Sequence, residues 1–193
     1  MELSHEEKGV LILAVRDSIG SLFGDMMPPI IDYSYYPGLG QTGPGAFVTI
    51  TLNNQLRGCI GYITSPMTVY ETVCEAAKQA ATNDPRFYPL TQEEVHHVNI
   101  EISVLSPLVH ISNYEQIQIG VHGLVLDEPN NRALLLPQVA SENNFDIPRF
   151  LTALCEKAGI NPYEWETRTL DIKTFTATVF SEMDNRKRTH EQG

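Results

Sequence analysis

Residues 45–63, GAFVTITLNNQLRGCIGYI, carry the pattern from which the rest of the chain is read. AFVTITL (46–52) alternates apolar and polar residues and is rich in β-branched side chains, as a half-buried strand should be. Asn53-Asn54-Gln55 can turn, because asparagine tolerates positive φ. LRGCIGYI (56–63) then returns as the partner strand. That returning strand carries two glycines around a cysteine, with an arginine two residues before the thiol. Glycine weakens a strand, so either another backbone packs very closely here or something binds.

Working outward, Ser4 and Glu7 have the spacing of a capping box, and Leu11, Ala14, Val15, Ser18 and Leu22 recur at helical steps. A first helix is expected over 5–23. Asp25 to Gly45 is dense in proline and glycine and should wrap a surface. Tyr33, Tyr35 and Tyr36 would pin this segment by apolar burial, or line a cleft. Ser65-Pro66 reads as a helix start with proline in the first turn. Val69, Val73, Ala76, Ala77 and Ala80 give that helix its apolar stripe, with Cys74 beside it and an end near Ala81.

Asp84-Pro85-Arg86-Phe87-Tyr88-Pro89 reads as a rigid loop, and Thr91 to Glu94 as a cap opening a short helix. VNIEISVL (98–105) is a strand with Ile100, Ile102 and Val104 on one face and Glu101 and Ser103 on the other. VHGLVLDE and RALLLPQ flank a turn at Pro129-Asn130-Asn131. Asp146 caps a helix running to Ala158, with Gly159 as its terminator. Asn161-Pro162 starts a further short turn, Trp165 reads as core, and TRTLDIKTFTATVFSE supplies one or two closing strands. Interleaved elements, dominant hairpins and no repeat argue for an α+β fold with a mixed, mostly antiparallel sheet.

Composition bounds the function. The chain has 193 residues, 42% of them hydrophobic, enough for a real core. Thirteen basic against 24 acidic residues give a formal charge of −11, which repels phosphate backbones and argues against nucleic acid as a partner. The three cysteines, Cys59, Cys74 and Cys155, show no zinc or disulfide spacing. The acidic N-terminus and the lack of a long apolar run predict a cytoplasmic protein with no membrane contact. No phosphate loop, serine elbow or dinucleotide fingerprint appears, so no cofactor and no metal is expected.

Several blocks in order resemble the AMMECR1 domain: GAFVTITLNNQLRGCIG, DPRFYPL (84–90), IEISVLSPL (100–108), GVHGLVL (120–126), LLLPQVASE (134–142) and FLTALCEKAGI (150–160), on to Trp165. The resemblance spans roughly residues 8 to 180. It implies an α+β fold in which a mainly antiparallel sheet is flanked by helices, with a second, smaller lobe. The chain is thus expected to be one such domain over 1–185, with a polar tail at 186–193. The six residues LRGCIG are that family's best-known feature. Its molecular activity is not established, and the resemblance implies a Memo-like or radical-SAM protein as partner. Phe145 stands where tryptophan is expected, and Asn130 to Ala133 lack a glycine common before LLLPQV; both bear on packing and turn detail.

The candidate chemistry centres on Arg57-Gly58-Cys59-Ile60-Gly61. Strict alternation puts Arg57, Cys59 and Gly61 on one face and Leu56, Gly58, Ile60 and Tyr62 on the other, with Arg57 and Cys59 about 6–7 Å apart. A nearby guanidinium favours a thiolate. One reading is therefore an activated Cys59, or a notch in which Arg57 and neighbouring N–H groups bind a small anion. The other is that Gly58 and Gly61 permit close packing and Cys59 is a small buried hydrophobe. A nucleophilic cysteine needs a base. His122, between Gly120-Val121 and Gly123, is the most interesting candidate, against a turn histidine with no such role. The other histidines are His5, His96, His97, His110 and His190, and the adjacent His96 and His97 cannot both face one metal. Asp84 would cap amides and Arg86 fork onto a carboxylate as a clasp, or Arg86 would join Arg57 in an anion site. Glu101 would orient Arg57 if neighbouring strands bring them together, or form an ordinary cross-strand pair. Gln138 and Glu142, at a strand-to-helix junction, would bond a ligand or local backbone. The preferred function is a cleft around 57–61 that binds a small anionic ligand or a partner segment. The alternative is an enzyme using Cys59 as nucleophile or redox thiol in a pathway with Memo-like or radical-SAM proteins.

Overall fold

A computed structural model describes residues 2–24 and 27–182. The tail expected at 186–193 and His190 lie outside the described residues. The chain groups into two compact units, one formed by residues up to Leu105 and from Thr178 onward, the other by Ser106–Ala177.

The first unit opens with α1 (His5–Gly20). Ser4 Oγ accepts the Glu7 amide at 3.1 Å and Glu7 returns a carboxylate oxygen to the Ser4 amide at 2.8 Å, so two orphan N–H groups are satisfied reciprocally. The helix stops three residues before the expected end, where Ser21–Phe23 tighten into a 3-10 turn closed by Gly24 at φ 92°. Leu22 is accordingly exposed. The other carboxylate oxygen of Glu7 accepts the Gly38 amide at 2.7 Å and so pins the proline-rich segment. Tyr33 and Tyr36 pack on the core, while Tyr35 stays in solvent.

β1 (Thr42–Leu52) starts earlier than the alternation at 46 suggested. Asn53 and Asn54 both take positive φ, the two-residue loop whose twist matches the flanking strands. β2 (Gln55–Thr68) is longer than expected and absorbs Ser65-Pro66. This corrects the helix start. Ser65 pairs with Gly43 and Thr68 with Thr42, so Pro66 falls in an irregular stretch of the ladder, where a residue without an N–H is tolerated. The helix begins at α2 (Val69–Thr82), with Thr68 and Glu71 as its capping box. Its buried stripe is the expected one. α3 (Gln92–Val95) and β3 (Val98–Leu105) follow.

In the second unit, β4 (Val109–His110), β5 (Gly123–Asp127) and β6 (Arg132–Leu135) precede α4 (Pro137–Glu142), α5 (Ile147–Ala158), α6 (Glu164–Thr167) and β7 (Ile172–Phe175). Asp146 caps α5 by accepting the Arg149 amide at 2.9 Å, and Gly159 ends it at φ 72°. β5 and β6 form the hairpin across Pro129-Asn130-Asn131. Phe145 packs at the rim of a core built on Leu124, Leu126, Phe150, Leu154 and Ile172, and Trp165 donates its indole N–H to Thr152. β8 (Ala177–Ser181) belongs to the first unit's sheet.

The expected α+β fold with mainly antiparallel strands is present, built on two four-stranded sheets ordered β2-β1-β3-β8 and β4-β7-β5-β6. The closing segment divides between them at Thr176. In the first sheet Ala46, Val48, Ile50, Ile100 and Ile102 form one fully buried face that packs with α1 and α2. Phe47, Thr49, Cys59 and Glu101, on the opposite face, are half-buried.

Candidate functional site

The two glycines of β2 have separate physical reasons. A Cβ on Gly58 would run into the carbonyl oxygen of Ala80 in α2, so the glycine lets helix and sheet approach closely. A Cβ on Gly61 would meet the Ala46 carbonyl and Phe47, its cross-strand partner. Gly123 and Phe175 repeat that aromatic-over-glycine pairing in the second sheet.

Between Gly58 and Leu56 the ladder slips. Ile50 faces Gly58, but Thr51 already faces Leu56, which leaves Arg57 without a cross-strand partner. This is a β-bulge, and it corrects the expected alternation. Thr49 faces Cys59, and Thr49 and Thr51 share a face, so Leu56 shares the Cys59 face and Arg57 is turned out of the ladder. The guanidinium meets α3 and the loop before it. Nε and Nη2 fork onto the two oxygens of Glu94 at 2.8 and 2.9 Å, while Nη1 and Nη2 donate to the carbonyls of Tyr88 and Pro89 at 2.7 and 3.2 Å. Arg57 thus pairs with Glu94. Glu101 sits opposite Thr49, in line with Cys59 across three strands.

β2 is an edge strand, and Asp84 and Arg86 cover its edge at Cys59. Asp84 accepts the Cys59 amide at 2.8 Å and the Arg86 amide at 3.1 Å. It also takes a fork from Arg86 Nε and Nη2 at 2.9 and 2.7 Å. Arg86 Nη2 reaches back to the Cys59 carbonyl at 3.4 Å. The pair of side chains therefore replaces a neighbouring strand, satisfying one donor and one acceptor. Cys59 is half-exposed, and its Sγ accepts one hydrogen bond, from Thr49 Oγ1 at 3.4 Å. No described histidine hydrogen-bonds that sulfur.

Both carboxylates are strongly perturbed. The Arg86 fork, helped by the Cys59 and Arg86 amides, holds Asp84 well below the usual carboxylate range. The Arg57 fork, with the Thr91 amide, lowers Glu94 to about 2. Each favours the folded state most above the ordinary carboxylate pKa, and the contribution is lost as pH falls toward the lowered value. Burial pushes the Cys74 and Cys155 thiols up, which suits inert core residues.

A cavity of about 410 Å³ adjoins this region, lined by Leu52, Asn53, Thr91, Glu93, Glu94 and His97. His122, Gln138 and Glu142 belong to the second unit. His122 follows a turn and its Nδ1 accepts the Gln118 amide at 3.2 Å. Gln138 lies in α4 with a buried, unpartnered Oε1, and Glu142 ends that helix in solvent. Glu94 was legible only as part of a cap. Nothing in the sequence links it to a residue 37 positions earlier. Among the described residues no group of three or more His, Cys, Asp or Glu could hold a metal ion, and no helix is long and apolar enough to cross a membrane.

A two-sheet α+β protein with a bulged, side-chain-clasped edge strand is thus the class in hand. The family model for AMMECR1 matches residues 14–180, and the chain belongs to the AMMECR1 family. It is 39% identical over 159 residues to Protein MJ0810 of Methanocaldococcus jannaschii, covering 78% of this chain and 79% of that one. A protein of Methanosarcina acetivorans is 35% identical over 189 residues, 94% of each chain. The crystal structure of the uncharacterized protein PH0010 from Pyrococcus horikoshii matches with a TM-score of 0.84 and 32% identity over 94% of each chain.

Proposed function

We propose that the bulged segment 56–61 and the loop 84–90 form a docking surface for a protein partner. The observation that carries this is the engagement of all three guanidinium nitrogens of Arg57 by Glu94 and the Tyr88 and Pro89 carbonyls. Together with the Asp84–Arg86 pair, it leaves two guanidiniums and two carboxylates cancelled internally. A neutral, prebuilt surface favours a partner over a small anion, because each arginine already has a carboxylate as its counter-charge. Arg57 clamps the loop backbone where Tyr88 is 90% exposed, and Leu56 is 41% exposed on the Cys59 face. Tyrosine is among the commonest interface anchors, and holding the backbone that carries it lowers the ordering cost of binding. The family resemblance supplies the partner class, a Memo-like or radical-SAM protein, and the charge of −11 calls for a basic patch on it.

Calorimetric titration of the Memo-like and radical-SAM proteins of the same organism tests this. Tyr88→Ala should weaken binding about tenfold or more, with Leu56→Ser adding to the loss and thermal stability unchanged. Wild-type affinity in both variants, or no binding of either protein, removes the surface from that role. A second reading, Cys59 as nucleophile or redox thiol, is favoured by the partial exposure of that residue and the Thr49 hydroxyl beside its sulfur. An alkylation rate that follows an ordinary thiol, with a midpoint near about 8.5, would eliminate it.

A further inference from the structure

The second unit contains a separate cavity of about 210 Å³ near β4 and the end of β7. Val109, Ile111 and Phe175 supply its apolar wall, and His110, Gln116 and His122 are its larger polar side chains. The hydrogen bonds that these groups already make determine what chemistry they leave available.

Gln116 Oε1 accepts the backbone amides of Ser112 and Asn113, at 3.0 and 3.4 Å. That orients the amide, and its Nε2 makes no hydrogen bond among the described residues. His122 Nδ1 accepts the Gln118 amide, which in the neutral ring places the proton on Nε2, again without a partner among the described residues. Both His110 nitrogens face acceptors, the Ile111 carbonyl at 3.1 Å from Nδ1 and Asp171 Oδ1 at 2.9 Å from Nε2. The hydroxyls of Ser106 and Thr174 are also engaged, whereas Thr176 Oγ1 makes no hydrogen bond among the described residues. Ser106 donates to the Pro107 carbonyl and accepts the Thr176 amide, and Thr174 donates to the Val109 carbonyl. The groups left over, Gln116 Nε2, His122 Nε2 and the Thr176 hydroxyl, can all donate.

We infer that this cavity is a binding site for a small carboxylate with a short alkyl body. Three polar groups of one cavity that can all donate, only the hydroxyl of which can also accept, favour an acceptor-rich head group, and a carboxylate is the compact form of one. An apolar wall with a few fixed polar groups is the ordinary make-up of a ligand site. At about 30 Å³ per water-sized group, the volume holds about seven such groups, which matches a branched four-carbon acid. None of this depends on the docking surface, since every residue involved lies within Ser106–Ala177.

The test is a titration of the full chain with sodium isobutyrate at constant ionic strength, followed by NMR at the Gln116 side-chain amide and the His122 ring. Both signals should shift together and saturate, with a Kd on the order of 1–10 mM for so small a ligand. Isopropylammonium, of similar shape and opposite charge, should leave them unmoved. Gln116→Glu keeps the oxygen that accepts Ser112 and Asn113 but replaces the donor with a negative charge, and should weaken isobutyrate at least tenfold. His122→Phe should do the same through loss of the second donor. Failure to saturate, equal shifts with isopropylammonium, or wild-type affinity in a folded Gln116→Glu protein would each overturn the assignment.

Discussion

Gly58→Val should cost the protein about 3 kcal/mol or more of folding stability, at the upper end of overpacking effects. The new Cβ would clash with the Ala80 carbonyl oxygen, a backbone atom of α2 that has no rotamer to yield. Ala76, Ala77, Ala80 and Ala81 are all buried in the same helix, so α2 is seated against the sheet through its smallest side chains. Moving the helix outward to admit a valine would open gaps beneath Val69 and Val73, which are fully buried. Urea unfolding is the measurement, with a lower midpoint and an unchanged slope expected. A variant within about 0.5 kcal/mol of wild type, the range of ordinary surface changes, would mean that the glycine is not there for packing.

Asp84→Ala is expected to cost about 3 kcal/mol, in the range for breaking a buried ion pair. The Asp84 side chain is 2% exposed and accepts from four donors, so its removal leaves the Cys59 amide unsatisfied at the sheet edge. Arg86 is 54% exposed and can recover water, which limits the loss on its side. Amide exchange at Cys59 should accelerate in step with the loss of stability. Asp84→Asn keeps an acceptor without the charge and should fall between. It should also lose part of the acid-side slope, because wild-type Asp84 contributes less as pH falls below its ordinary 3.8 toward its lowered value.

Much of the fold was legible because its signals are local. Alternation over 46–52 and the Asn53-Asn54 turn gave the hairpin, and the alanine-rich stripe of α2 and the Asp146 to Gly159 boundaries gave two helices. The errors lie where a local rule meets a tertiary one. Ser65-Pro66 has the chemistry of a helix start, yet the Thr68–Glu71 box three residues on is the cap, and the proline is accommodated in an irregular stretch of strand. The bulge at Arg57 was invisible, since a one-residue slip leaves no compositional mark and inverts the face of everything beyond it. That slip separates the arginine from the thiol in spite of their spacing of two. The clasp at Asp84 and Arg86 could be read from its own residues, whereas Glu94 could not, because an ion pair between distant segments has no periodicity. The point at which the closing segment divides between the two sheets was likewise hidden, with only Thr176 between the strands that belong to each.

The central claim is that Arg57 is an internal clamp, engaged by Glu94 and not free for a ligand. Carboxyl carbon NMR of Glu94 across acid pH tests it most directly. A midpoint near 2, moving back toward the ordinary 4.5 in Arg57→Ala, is the predicted result. A wild-type midpoint at the ordinary value, unmoved by the substitution, would show the guanidinium to be uncommitted and would contradict the account.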